Sequence, residues 1–291
     1  MKLLRVGPAG HERPALLDDT GQRRDLSGLI GDLDGPNLSD GALAAIAAVD
    51  TASLPVLDAN LRIGPCVASP SKFIGIGLNY ADHAAESGMT PPTEPVVFHK
   101  STSSICGPTD PIEMPPGSSK LDWEVELAIV IGRTARSVTV ASAREFIAGF
   151  CLVNDVSERS DQIEREGQWT KGKSNDTFGP MGPYLVTRDE VRDPQAIALG
   201  LTVNGETMQS GNTSTMIFGV DVVVSYLSFF MTLMPGDVIT TGTPPGVGMG
   251  MTPPRFLKLG DEVALRGDGL GEQQTHVVAS KRAPLDPVLG M

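Results

Sequence analysis

The sequence predicts a mixed α/β fold dominated by β-structure, with a small N-terminal α+β domain over 1–65 ahead of a larger domain over 66–291. Three observations predict it. Apolar, β-branched runs bounded by Gly, Pro, Asp or Asn recur through the larger part, as in WEVELAIVIG, EFIAGFCLVND, GPYLVT, IALGLTVNG and DVITTG. Helical signals there are fewer, at 141–146, 157–166 and 219–233. A stretch punctuated by proline and glycine over 54–70 sets the first segment apart.

Within that first segment the pattern gives a strand over 3–6, a hairpin around Asp18, Asp19, Thr20 and Gly21, and an alanine-rich helix over about 40–48. Past the punctuated stretch, KFIGIG reads as a buried strand leading into a helix over 80–87. From about residue 280 two prolines predict an irregular tail.

With 291 residues, 40% of them apolar, the chain can bury a substantial core. A formal net charge of −12 disfavours nucleic acid or an anionic membrane surface as partner, because the long-range field repels phosphate. A small anionic substrate then requires a local positive centre. Cys66, Cys106 and Cys151 have no zinc-type or disulfide-type spacing, which suits a reducing, cytoplasmic setting. MKLLRVGPAG shows no signal-peptide pattern, and the most apolar stretch, 222–234, falls short of the roughly 20 residues of a membrane span.

In LDWEVELAIVIG, the strand period of two places Glu124 and Glu126 on one face. Two such carboxylates, roughly 7 Å apart along the backbone, repel unless a cation lies between them. A lone E-x-E is usually a solvated strand face, but Ala128 and Val130 continue this face as apolar residues, so burial is expected. The next apolar strand ends at Asn154 and Asp155, well placed to add a third carboxylate. Oxygen-only ligation is the chemistry of Mg²⁺ or Mn²⁺ rather than zinc. On a helix over 157–166, Arg159 and Gln162 fall within reach of Asp155, although Ser157 as the N-cap of an ordinary exposed helix explains much of that segment.

Lys173 falls in a flexible polar loop, and TGTPPGVG after the strand DVIT offers hydroxyls and free amides, Thr243 among them. His83 and Glu86, three residues apart, share one helical face in the arrangement of a general base oriented by a carboxylate, although a lone His-Glu pair on a helix is more often a surface salt bridge. GIGLNYADHAAESG fails the dinucleotide-binding fingerprint, because its third glycine position is Tyr80.

Together, NYADHAAE, DWEVELAIVIG, NDVSER, KGKSNDTFGPMGPYLVT, STSTMIFGVDVVVSYLS and LMPGDVITTGTPPGVG closely resemble the fumarylacetoacetate hydrolase family over about 72–279. The resemblance implies a mixed β-roll catalytic domain, usually homodimeric. It implies Mg²⁺, with Mn²⁺ as an alternative, held by Glu124, Glu126 and Asp155. His83, Glu86 and Lys173 correspond to the family's catalytic residues, and Arg159, Gln162, Thr177 and Thr243 to its substrate contacts. The branch it resembles goes by two names, ureidoglycolate lyase and 2,4-diketo-3-deoxy-fuconate or -rhamnonate hydrolase, of which the second suits a metal site that chelates a 2-oxo acid and the first, a C–N cleavage, does not. The expected function is hydrolysis of the C3–C4 bond of a 2,4-dioxo acid, an acylpyruvate or a diketo sugar acid, to pyruvate and a second acid. The small anionic 2-oxo acid is the expected partner. Decarboxylation, hydration or tautomerisation of a 2-oxo acid is the alternative chemistry, and a metal-stabilised binding protein without catalysis the alternative class.

Overall fold

A computed structural model of the chain describes residues 1–82 and 91–283. His83, Glu86 and most of the helix expected over 80–87 lie outside the described residues, as does most of the tail. The first segment forms an antiparallel meander of β1 (Lys2–Val6), β2 (Arg13–Leu17) and β3 (Arg23–Asp25). Its β2–β3 turn is held by Asp18 Oδ1, which accepts the amides of Thr20 and Gln22. The helix Asp40–Ala47 follows, with the Ser39 hydroxyl accepting the Ala42 amide as N-cap.

Next come β4 (Phe73–Gly77), β5 (Val96–Lys100), and the short β6 (Ile105–Cys106), β7 (Ile112–Met114) and β8 (Leu121–Asp122). The apolar runs supply β9 (Val125–Ile131) and β10 (Ile147–Asn154), followed by β11 (Ser157–Glu158), β12 (Gly179–Pro180) and β13 (Leu185–Thr187). The last strands are β14 (Ala198–Val203), β15 (Glu206–Asn212), β16 (Val238–Thr240), β17 (Glu262–Gly267) and β18 (Gly271–Ala279). Between β15 and β16 lies the helix Val220–Phe230, the element expected over 219–233.

Nine strands build one mixed sheet in the order β3-β2-β1-β13-β10-β9-β16-β4-β5, and five build a second in the order β15-β14-β17-β18-β7. Because β1 pairs with β13, the sheet runs unbroken from the N-terminal segment into the later chain. All of β9 and β10 is buried, which explains why they read as near-continuous apolar runs rather than half-polar ones. The two faces of β9 enter different cores. Val125, Leu127, Ile129 and Ile131 pack with Leu199, Leu201, Val263 and Leu265 of the second sheet and with the helix Val220–Phe230. Ala128 and Val130 point the other way, into a core shared with Leu3, Leu26 and Leu38.

The helix expected over 157–166 is replaced by β11 and a π-helical turn over Ser160–Glu164. Ser157 is buried instead of capping a helix. Its hydroxyl donates back to the Asp155 carbonyl, and Ser157–Glu158 pairs with β8, so the local signal yields to a tertiary ladder. No helix among the described residues is long and apolar enough to cross a membrane.

Asp237 fixes the entry of both β4 and β16. Its buried carboxylate accepts the amides of Lys72 (2.9 Å) and Met234 (2.7 Å) and pairs with Lys72 Nζ at 2.8 Å. Asp237→Ala leaves these donors unmatched, so a loss of about 2 kcal/mol in urea denaturation is expected. An unchanged midpoint would show that water replaces the carboxylate at no cost.

Candidate active site

Strand β9 runs antiparallel to β10 and β16, while β4 runs parallel to β16, so the start of β9 and the ends of the other three lie side by side. The register pairs Val125 with Asn154 and Glu126 with Val153. One step beyond it, the Asp155 amide donates to the Glu124 carbonyl at 2.9 Å, and the Glu124 amide donates to Asn154 Oδ1 at 3.1 Å. Glu124, Glu126 and Asp155 are all buried, and one oxygen from each lies within 4.8 Å of the others.

Three cations meet two of these carboxylates. Lys173 Nζ lies 2.7 Å from both Glu124 Oε2 and Asp155 Oδ2, Lys100 Nζ 2.6 Å from Asp155 Oδ1, and Arg159 Nη2 2.7 Å from Glu124 Oε1. Glu126 instead accepts the Gly242 amide at 2.7 Å. Burial, reinforced by the nearby charges of Asp155 and Glu124, therefore pushes the Glu126 carboxyl well above its usual range. Burial acts in the same direction on Glu124, but Lys173 and Arg159 outweigh it and hold that carboxyl below the usual range. Burial lowers Lys100 more than Asp155 raises it, whereas on Lys173 the pull of Asp155 and Glu124 prevails over burial. Among the described residues, Glu126 is thus without a paired positive charge. A divalent cation would supply it, and three carboxylates are a donor set that fits a hard one.

Arg159 and Gln162 are buried on either side of the start of the π-helical turn. A π-turn widens the helix locally and recurs at functional sites. Here it lets Arg159 Nη1 donate to Gln162 Oε1 at 2.9 Å while Arg159 Nε reaches Asp122 at 2.8 Å. Lys173 does not lie in a flexible loop. It ends the short helix Trp169–Lys173 and is buried, and Lys100 Nζ donates to its carbonyl at 2.5 Å, the favourable place for a cation at a helix C-terminus. Gly172 permits the approach of this helix to the π-turn, since a Cβ there would stand 2.5 Å from the Gln162 nitrogen and the Glu158 carbonyl oxygen.

Glu124, Glu126, Asp155, Arg159, Gln162, Lys173 and Thr243 line one cavity of about 280 Å³. Thr243 is fixed by donating to the Val125 carbonyl and accepting from Gln209 Nε2, both at 2.8 Å. Thr177 is not among the lining residues, and its hydroxyl accepts the Glu113 amide at 2.8 Å.

Sequence reasoning missed Asp122, Lys100, Phe98 and Trp169. Asp122 is fully buried and accepts from Arg159 and from the amides of Gly248 (2.7 Å) and Met249 (3.0 Å). The strand period that joined Glu124 to Glu126 also includes Asp122, so a signal was there. Phe98 and Lys100 sit two apart in VVFHK, a weaker signal because burial of a strand-end lysine cannot be read locally.

The family model described as fumarylacetoacetate (FAA) hydrolase C-terminal matches residues 72–278. A protein of Burkholderia ambifaria (strain MC40-6), given a hydrolase name without a stated substrate, is 62% identical over 274 residues, covering 94% of this chain and 97% of its own length. The crystal structure of 5-carboxymethyl-2-hydroxymuconate delta-isomerase from Mycobacterium smegmatis is 33% identical with a TM-score of 0.75, covering 97% of this chain and 100% of that one. Maleylpyruvate hydrolase from Sphingobium sp. SYK-6, crystallised with manganese(II) and pyruvate, is 29% identical with a TM-score of 0.81 at the same coverage.

Breaking a buried ion pair from one side leaves its partner uncompensated, which costs about 3–5 kcal/mol. Asp122→Ala should therefore lower the thermal midpoint by many degrees. A midpoint within a degree or two of the unaltered protein would mean that Arg159 is satisfied without Asp122.

Proposed function

The chain belongs to the fumarylacetoacetate hydrolase family, and on that premise we propose that it is a divalent-metal-dependent hydrolase of 2,4-dioxo acids, releasing pyruvate and a second acid. The observation that carries this reading is the buried cluster of Glu124, Glu126 and Asp155 facing Lys173, Arg159 and Gln162 in one cavity. The manganese and pyruvate held by the maleylpyruvate hydrolase support it by likeness.

Glu124, Glu126 and Asp155 would hold Mg²⁺ or Mn²⁺. When bound, the ion supplies Lewis acidity to the carboxylate and 2-oxo group of the substrate. With Glu126 ionised against a bound cation, the buried carboxylates of Asp122, Glu124, Glu126 and Asp155 would outnumber the buried cations Lys100, Arg159 and Lys173 by one. With a divalent ion the cluster becomes net positive, the local centre that an anion needs in a chain of net charge −12.

His83, oriented by Glu86, takes a proton from water, whose oxygen attacks the C4 carbonyl; both residues lie outside the described residues. Two of the three ammonium protons of Lys173 are directed at Glu124 and Asp155, leaving the third for the developing C4 oxyanion. Arg159 holds Gln162 by its oxygen, which leaves the Gln162 amide nitrogen to donate to the same oxyanion. Collapse of that oxyanion breaks C3–C4. The electron pair moves to the 2-oxo oxygen as an enolate, C3 then takes a proton, and pyruvate leaves with the acid formed from C4.

Incubating the protein with acylpyruvates and Mg²⁺ or Mn²⁺ should yield pyruvate in step with loss of the enol absorbance. Release of CO₂ or formation of an isomer in place of pyruvate would replace hydrolysis with the corresponding alternative. Glu126→Ala should lose this activity, and also the rise in melting temperature that a ligand binding only the folded state produces when Mn²⁺ is added. Full turnover by a metal-free Glu126→Ala protein would refute the metal assignment. His83→Ala should lower kcat by on the order of 10²–10⁴-fold with a smaller change in KM. A rise in KM alone would make His83 a binding group.

A further inference from the structure

The lining of the cavity changes in chemistry with distance from the carboxylates. Lys173 Nζ, in contact with Glu124 and Asp155, lies 5.2 Å from the centroid of the Phe98 ring. Phe98 in turn lies 5.5 Å from the Trp169 ring, tilted by 56°. Phe98 is buried and Trp169 half-buried, so the series runs from the charged cluster out toward solvent. The indole occupies a place made for it by Gly77, where a Cβ would stand only 2.3 Å from Trp169 Cζ3. Leu78, Ile163 and Met249 add apolar surface to the same lining.

Among the described lining residues the cations are Arg159 and Lys173, and both are committed. Arg159 pairs with Asp122 and Glu124, and Lys173 with Glu124 and Asp155. A second carboxylate on the far end of a substrate would therefore lose its water against an indole and a phenyl ring without a described counter-charge, which is costly. A chain of hydroxyls would lose hydrogen bonds there in the same way. An apolar, planar group gains by burial and by ring contact. At about 280 Å³ the cavity lies just below the usual range of ligand sites, about 300 to 1,000 Å³.

We propose that Trp169 is the specificity-determining residue, forming the wall against the part of the substrate remote from the 2-oxo acid head and selecting an uncharged, apolar acyl group over a carboxylated or polyhydroxylated one. The inference rests on the 2,4-dioxo acid reading given above.

The test is calorimetric binding, in the presence of Mn²⁺, of three 2-oxo acids that share the head and lack the C4 carbonyl needed for cleavage: 2-oxobutyrate, phenylpyruvate and 2-oxoglutarate. The unaltered protein should bind phenylpyruvate roughly tenfold or more tightly than 2-oxoglutarate. Trp169→Ala should weaken phenylpyruvate roughly tenfold while 2-oxobutyrate stays within about twofold, and Trp169→Phe, which keeps a ring, should recover most of the loss. Equal or tighter binding of 2-oxoglutarate by the unaltered protein would overturn the proposal. So would a Trp169→Ala protein that binds all three equally worse, since that marks a structural role. Absence of binding by any of the three would overturn the 2-oxo acid reading and this inference with it, an outcome distinct from a head that binds without preference for its tail.

Discussion

Three carboxylates buried within reach of one another at the ends of central strands repel strongly, and the surroundings of Glu124, Glu126 and Asp155 are the response to that repulsion. Lys173 bridges two of them, Lys100 approaches Asp155 from its other oxygen, and Arg159 takes the remaining oxygen of Glu124. Each cation is itself anchored. Lys100 donates to the Lys173 carbonyl, and Arg159 is held from behind by Asp122 and in front by Gln162. Every one of these charges is buried, where an unmatched group would be costly. Among the described residues Glu126 accepts a single backbone amide and forms no ion pair.

That arrangement requires strands from distant parts of the chain. Glu124 and Asp155 face one another because β9 and β10 are antiparallel, and Gly242 reaches Glu126 because β16 lies on the other side of β9. The segment between β11 and the helix Trp169–Lys173 then folds over these strand ends as a π-turn, bringing Arg159, Gln162 and Ile163 to the cavity. The same short helix carries Trp169 at one end and Lys173 at the other. One element thus contributes both a polar group at the carboxylates and an aromatic group farther out.

The family includes both hydrolase and isomerase relatives, so the fold does not choose the reaction. On the function proposed above, a charge cluster that would turn net positive with a divalent ion suits a 2-oxo acid head, and donors at Lys173 and Gln162 suit a reaction that builds negative charge on oxygen. The described lining offers no unpaired cation for a second acid group, which bears on the far end of the substrate.

The sequence by itself determined the elements whose cause is local. The apolar runs of β9 and β10, the meander turn at Asp18 to Gly21, the helices near 40–48 and 219–233, and the shared face of Glu124 and Glu126 all follow from periodicity and turn chemistry that neighbouring residues decide. The triad was legible for the same reason, since a carboxylate pair continued by Ala128 and Val130 reveals burial within one strand, and Asp155 follows the next apolar run. Only the tertiary structure decided that 157–158 pair as a strand, that 160–164 form a π-turn, and that Lys173 ends a buried helix. In each case the partner lies far along the chain: β8 for Ser157 and Glu158, Asp122 for Arg159, Lys100 for Lys173. Local propensity cannot register a hydrogen bond or ion pair closed across dozens of residues, and in a buried site such pairs outweigh it.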